Sequence, residues 1–181
     1  MYFKKMVGQK CYLSPIDVND VEKFAEWLND LEITRNLLTY PMMICLGNEK
    51  EMLEKLSREH TYSIIDNEKN ELIGNCGFND IDFINQTAEV GIFIGNKKYW
   101  NKGYGTEALS LIIDYGFKAL NFHNIFLKVY SFNERAVKCY EKVGFKSIGK
   151  KREAVLRDNK RYDHIYMDIL SNEFYEKINK T

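Results

Sequence analysis

Gly103 and Gly105 lie two residues apart in the run Tyr99-Trp100-Asn101-Lys102-Gly103-Tyr104-Gly105-Thr106-Glu107-Ala108. An apolar stretch, Val90 to Ile94, precedes the run, and an amphipathic stretch from about Thr106 to Leu120 follows it. Residues without a Cβ can take positive φ, so successive N–H groups can converge on one point. A helix start adds unpaired N–H groups and the positive end of its dipole. Together these predict a cradle for a pyrophosphate, with Lys102 adding a charge at the rim. The same glycines would also serve a sharp strand-to-helix turn with no ligand. A dinucleotide fingerprint is excluded, because its third glycine is replaced by Ala108 at a different spacing. A Walker loop is excluded by the absence of Gly-Lys-Ser/Thr.

A second stretch, Asn133-Glu134-Arg135-Ala136-Val137-Lys138-Cys139-Tyr140-Glu141-Lys142-Val143-Gly144-Phe145, follows the apolar run Ile125 to Tyr130. Asn133 suits the N-cap of a short helix. Ala136 and Tyr140 fall on one face of it at i, i+4, and Gly144 ends it as a C-cap does.

This pair of stretches resembles the GNAT superfamily of acetyl-CoA-dependent N-acetyltransferases. The family pattern is Gln/Arg-x-x-Gly-x-Gly/Ala, then Asn-x-x-Ala/Ser-x-x-x-Tyr-x-x-x-Gly-Phe about thirty residues on. The chain is most similar to the RimJ/RimL type, with spermidine acetyltransferases as close relatives. Trp27-Leu28-Asn29-Asp30, Ala88-Glu89-Val90-Gly91, Arg152-Glu153 and Tyr162-Asp163 extend the likeness over essentially the whole chain. Two positions depart from the pattern: Trp100 stands at the Gln/Arg position, and Ser14 where many members have Arg. The resemblance implies acetyl-CoA as co-substrate and a primary amine as acceptor, either a protein N-terminus, a polyamine or another small amine. It also implies cofactor contacts at Phe93, Ile94, Trp100, Asn101, Lys102, Gly103, Tyr104, Gly105, Thr106, Asn133, Ala136 and Tyr140.

Acetyl transfer needs a neutral amine, a donor for the oxyanion, a proton for the departing thiolate and two substrates held together. No covalent enzyme intermediate is required. Tyr140 is the candidate acid, since a phenol near pKa about 10 suits protonation of a thiolate. Its alternative is a core aromatic with a satisfied hydroxyl. Glu89 is the candidate base, directly or through water, and shares a strand face with Gly91 and Phe93. Its alternative is a strand-end carboxylate bonded to backbone or paired with a cation. Asp80 and Asp82 are weaker candidates, and proton loss to water with no dedicated base also stays open. Cys139 reads as packing. Asp30 and Glu32 could attract a cationic amine or be solvated surface charges. A non-catalytic acyl-CoA-binding module is the rival reading, and an interaction domain without cofactor a second.

These residues must be positioned by a framework, and its pattern is readable. Strands are expected at Cys11–Pro15, Tyr62–Asp66, Leu72–Ile81, Thr87–Ile94, Ile125–Tyr130, Phe145–Leu156 and Tyr162–Leu170. Helices are expected from Asp17–Asp20 to about Leu28, over Ile33–Leu38, over Glu49–Arg58, and at the two stretches above. A polar tail runs from Glu173 to Lys180. A crossover through the Thr106 helix makes Val90–Ile94 and Ile125–Tyr130 parallel. The predicted fold is one α+β domain over residues 1–181: a mostly antiparallel twisted sheet, one parallel splayed strand pair and helices on both faces. With 26 basic and 26 acidic side chains the net charge is zero, so nucleic acid is not expected as partner. No apolar run is long enough to span a membrane, and Met1-Tyr2-Phe3-Lys4-Lys5 lacks a signal-peptide core, so a cytoplasmic protein is expected. Cys11, Cys45, Cys76 and Cys139 form no C-x-x-C pair, and His60, His123 and His164 show no metal spacing, so no metal is expected. A homo-oligomer is allowed.

Overall fold

The computed structural model describes residues 1–179. In chain order it contains β1 (Met6–Val7), β2 (Cys11–Pro15), α1 (Val21–Leu28), α2 (Leu31–Thr34), α3 (Leu46–Leu56), β3 (Thr61–Asp66), β4 (Leu72–Asp82) and β5 (Thr87–Ile94). Then come α4 (Tyr104–Ala119), β6 (Asn124–Tyr130), α5 (Glu134–Val143), β7 (Lys146–Arg157), β8 (Lys160–Leu170) and α6 (Ser171–Ile178). The strands form an eight-stranded sheet in the order β1-β2-β3-β4-β5-β6-β8-β7. The pair β5–β6 is parallel, as the crossover through α4 requires. No described helix is long and apolar enough to cross a membrane.

Several bounds differ from the sequence expectation for local reasons. The second helix is the single turn α2, started by Asp30, whose side chain accepts from Glu32 N. α3 begins at Leu46, three residues early, because Cys45 Sγ accepts from Asn48 N. α4 begins at Tyr104, so Gly105 is already inside the helix, and only Gly103 of the pair has positive φ, +86°. The tail forms α6 over Ser171–Ile178, and Lys180 lies outside the described residues.

The chain clusters into two compact units, residues 1–77 with 92–112 and residues 78–91 with 113 onward. In the first, β2 is buried on both faces from Cys11 to Ser14. Tyr12, Phe24, Trp27, Ile33, Leu53, Ile65 and Leu72 form one core cluster, against which Phe93 and Trp100 pack. Trp27 lies outside the Val21–Phe24–Ala25–Leu28 stripe, yet it is buried. Gly95 makes room for it, since a Cβ there would sit 2.1 Å from Trp27 Cδ2.

In the second unit, β6 pairs with β8 from Asn124↔Leu170 to Tyr130↔His164. Phe78 meets Phe122 edge-on at 5.1 Å, over Gly116. The β7–β8 register shifts between Lys151 and Val155, where Glu153 takes φ +52° and its N–H donates to Asp163 Oδ1 at 2.9 Å.

One burial in the first unit has a measurable consequence. Glu49 is on the inner face of α3, one turn before Leu53, and is 4 % exposed. No described residue bonds its side chain, and desolvation pushes its carboxyl up to about 7. The folded state therefore binds a proton more tightly than the unfolded chain, and stability falls as pH rises from about 4.3 towards 7. Glu49→Met fills similar space without the charge. In ligand-free protein its melting temperature should exceed that of wild type by a few degrees at pH 8, at roughly 2–4 °C per kcal/mol. The gap should close towards pH 4. Thermal melts by circular dichroism at the two pH values check this; a gap that does not change with pH would show that burial leaves the carboxyl unperturbed.

Candidate active site

The glycine loop of the first unit is held by a polar framework beneath it. Asn96 caps the 3-10 turn Lys97–Tyr99 by accepting from Lys98 N, and its Nδ2 donates to Glu71 Oε1 at 3.0 Å. Tyr99 Oη donates to the other oxygen of Glu71, also at 3.0 Å. Tyr104 stands edge-on to Tyr99 at 4.9 Å and donates its hydroxyl to Asp66 Oδ1 at 2.7 Å. Asp66 is buried at the end of β3, and its second oxygen accepts from Lys69 N. The bond to Asp66, then burial, push the Tyr104 phenol up, so it stays protonated and keeps donating. In the same first turn of α4, Glu107 Oε1 accepts from the backbone N–H of Lys10 and Cys11. The first turn of α4 is thus tied to strand backbone on one side and to Asp66 on the other.

Within this frame Asn101 and Gly103 both take left-handed backbone, φ +59° and +86°. Asn tolerates that region, and Gly103 needs no side chain there. Asn101, Lys102 and Gly103 are exposed. Left-handed residues leading into the N-terminus of a 16-residue helix turn backbone N–H groups outward together, which suits a phosphate group. Lys102 is available at the rim. Trp100 is anchored to the strand by Nε1–H donating to Ile94 O at 2.8 Å. Phe93 lies edge-on to Trp27, and its carbonyl abuts Gly74.

The second unit holds the other candidates. The β5–β6 pairing comprises Thr87↔Asn124, Ala88↔Ile125 and Glu89↔Phe126, and ends there. Asn133 caps α5, its Oδ1 accepting from Ala136 N at 3.2 Å. Gly144 closes the helix with φ +125°, and both its N–H and that of Phe145 bond to Tyr140 O. Lys177 of α6 donates to the last carbonyls, Glu141 O and Lys142 O. Tyr140 is buried, one turn past Ala136, and packs edge-on to Phe145 at 5.9 Å. Its hydroxyl has no hydrogen-bond partner among the described residues. Burial pushes the phenol up. Glu89 is half-buried and pairs with Lys128 Nζ at 3.0 Å, a bond that raises the ammonium. This is the cation partner that stood as the alternative to a base. Asp80 is exposed, and Asp82 caps its turn by accepting from Ile84 N and Asn85 N. Asp30 and Glu32 both pair with Lys97, at 2.7 and 2.5 Å, so much of their charge is already answered.

The motif residues could be read from their spacing, whereas Asp66, Glu71 and Lys128 could not. Asp66 precedes a turn and reads as a strand end; only the fold shows it beneath Tyr104.

A model of the acetyltransferase (GNAT) domain matches residues 10–146, which include both motifs. The chain belongs to the GNAT acetyltransferase family. Among curated GNAT proteins, an uncharacterized N-acetyltransferase, p20, of Bacillus licheniformis is 30% identical over 92% of this chain and 96% of its own. A spermidine N(1)-acetyltransferase of Vibrio cholerae is 27% identical over 83% of this chain and 90% of its own. Among solved GNAT structures, spermidine N-acetyltransferase from Vibrio cholerae in complex with CoA and spermine has a TM-score of 0.84 at 24% identity, covering 93% of this chain and 99% of that one. A GNAT acetyltransferase from Bacillus anthracis has a TM-score of 0.82 at 23% identity, covering 96% and 100%. As a family member this chain is an N-acetyltransferase. The mixed sheet with its single parallel pair is the family's fold.

The framework under the loop generates a test. Tyr104→Phe removes one partner of a buried carboxylate, a loss of about 1–3 kcal/mol in stability. It also frees the first turn of α4. KM for acetyl-CoA should rise about tenfold, while kcat at saturating acetyl-CoA falls much less. Steady-state kinetics with thermal melts check it, and an unmoved KM alongside a lowered melting temperature would make the bond purely structural.

Proposed function

We propose that this chain transfers the acetyl group of acetyl-CoA to a primary amine by direct attack in a ternary complex. The observation that carries the catalytic reading is Tyr140: buried, set two turns past the Asn133 cap, with a hydroxyl no described residue engages. That hydroxyl is not fully enclosed, so a bound ligand could reach it.

Acetyl-CoA would lie with its pyrophosphate on the N–H groups of the Asn101–Thr106 loop and the start of α4, with Lys102 adding charge. Phe93, Ile94, Trp100, Asn133 and Ala136 would contact the rest of it. The amine nitrogen attacks the thioester carbonyl carbon, and the carbonyl electrons move to oxygen. Collapse of that intermediate breaks the C–S bond, and the departing thiolate takes the phenolic proton of Tyr140. The new amide nitrogen loses one proton, to Glu89 or to water. The pairing of Glu89 with Lys128 supports water in that step. The phenolate regains its proton through solvent, so the sum is amine plus acetyl-CoA giving acetamide plus free CoA thiol. The acceptor is a small amine or a peptide N-terminus.

Tyr140→Phe tests the reading. General acid help is realised only in the transition state, so kcat should fall about 10²–10⁴-fold with acetyl-CoA affinity nearly unchanged. The measurements are free-thiol release with an amine panel and CoA affinity by calorimetry. Full turnover in Tyr140→Phe would remove the acid role. Binding of acetyl-CoA by wild type without turnover of any amine would instead favour a non-catalytic acyl-CoA-binding module.

A further inference from the structure

The sheet of the second unit has two unlike faces. Ile125, Leu127 and Val129 of β6, with Met167 and Ile169 of β8, are buried on one of them. α4 packs there with Gly116 near Ile125, and the end of α5 with Gly144 near Ile169. The alternate residues share the other face. By register it carries Lys128 and Tyr130 of β6, Tyr166 and His164 opposite them on β8, and Lys151 of β7 opposite His164. Tyr130 is buried, but His164 and Tyr166 are half-buried and Lys128 and Lys151 exposed, so solvent reaches this face.

Three cations act on His164. Its ring stacks on Tyr130 at 5.0 Å, 12° from parallel, and the Arg157 guanidinium stands 5.3 Å from the centre of the same Tyr130 ring. Partial burial, then Lys128, Lys151 and Arg157, hold the imidazole below its usual range, so it is mostly neutral at pH 7. The acids of this region are engaged elsewhere. Glu89 pairs with Lys128, on which Asp80 also acts, and Asp168 accepts from Asn124 Nδ2 at 3.0 Å. Lys151 has no hydrogen bond or ion pair to a described residue. The cluster also adjoins the candidate catalytic residues of its own unit. Lys128 bonds Glu89, the last residue of β5 paired with β6. Just past Tyr130, Ser131 exchanges two hydrogen bonds with Asp163, and Phe132 stacks on Tyr130 at 5.4 Å and meets Tyr162 edge-on at 4.7 Å. The next residue is Asn133, the cap of the helix that carries Tyr140.

We propose that the face around His164 is an anion subsite for the acceptor, so that the acceptor is an amine that also carries a carboxylate or phosphate group. This rests on the amine-acetyltransferase reading above. Lys151 supplies the charge that the fold leaves unanswered, and Arg157 stands beside it over the Tyr130 ring. His164 adds a group that gains a proton when the anion arrives. A bound anion offsets the cations that hold the imidazole down, so it raises the affinity of His164 for a proton. By reciprocity the proton raises the affinity for the anion, and binding tightens as pH falls.

4-Aminobutyrate and O-phosphoethanolamine are the anionic probes, and n-butylamine is the control without an anion. KM and calorimetric affinity are measured for wild type, Lys151→Gln and Lys150→Gln. Lys150 is one position away but on the opposite face, where it pairs with Asp163, so its variant loses the same charge from the wrong side. Lys151 is exposed, so its replacement leaves the fold intact. Wild type should prefer at least one anionic probe to n-butylamine. Lys151→Gln should weaken that probe about three- to tenfold and leave n-butylamine and acetyl-CoA unchanged, while Lys150→Gln changes none of them. Affinity for 4-aminobutyrate, whose carboxylate stays ionised, should rise about fivefold from pH 7.5 to 6.0, and His164→Gln should flatten the rise. Equal use of all three amines by wild type, or equal losses in the two lysine variants, overturns the proposal. A raised KM for acetyl-CoA in Lys151→Gln would assign the charge to the co-substrate and overturn it too. Turnover of amines insensitive to Lys151 would remove the subsite and leave the acetyltransferase reading standing. Lys151-dependent binding of 4-aminobutyrate without turnover of any amine would do the reverse.

Discussion

A helix start can aim its backbone N–H groups only if its first turn is fixed, and here that turn depends on the Tyr104–Asp66 hydrogen bond. A buried carboxylate attracts donors strongly, and Tyr104 supplies one from the first turn of α4. Tyr99, stacked edge-on against Tyr104, passes the constraint to Glu71 and Asn96. Glu107 ties the same turn to the backbone at Lys10 and Cys11, where β2 starts. The members share partners in a partly buried network, so the loss of one exposes charge on another. The two left-handed residues, Asn101 and Gly103, sit inside this frame, and both residue types accept that backbone. The loop is therefore held in one arrangement by the protein's own contacts, and a ligand bound there would spend less ordering entropy.

The acid role proposed for Tyr140 meets a different physical demand. Burial makes a phenol a weaker acid, which at first opposes proton donation. A thiolate released in a desolvated place loses hydration too, and its basicity rises for the same reason. What matters is the difference between the two, and burial moves both in one direction. It also keeps Tyr140 protonated throughout the neutral range, so the proposed acid would always be loaded. The α5 frame fixes the ring through its two caps, Asn133 at one end and Gly144 with Lys177 at the other.

Patterns of spacing carried most of the framework. Cys11–Pro15 and Thr87–Ile94 match the strands residue for residue, and Asn133 and Gly144 bound α5 as their side-chain chemistry requires. The misses share a cause. α3 starts early because a cysteine sulfur, a poor cap by propensity, accepts the bond that usually goes to Ser or Asp. By spacing Gly105 pairs with Gly103 as a turn residue, but the helix absorbs it, and Asn101 supplies the second left-handed position. Trp27 sits off the helical stripe because the space that receives it belongs to Gly95, 68 positions away. In each case the deciding partner is distant in sequence or acts through an atom type that pattern rules do not weigh.

Charge shows the same limit most sharply. Asp66 and Glu49 both precede polar stretches and look like ordinary surface acids in the sequence, yet both are buried. One is satisfied by a hydroxyl 38 residues on, and the other by nothing in the described chain. Glu89 is answered by Lys128, and Asp30 and Glu32 by Lys97. Pairing of this kind lowers the cost of burial and also ends a group's availability to a ligand. The buried acid that the fold leaves unanswered is therefore the one whose protonation changes near neutral pH. A zero net charge says nothing about where that acid is. Only the list of which charges are already spoken for can distinguish Glu49 from the other carboxylates.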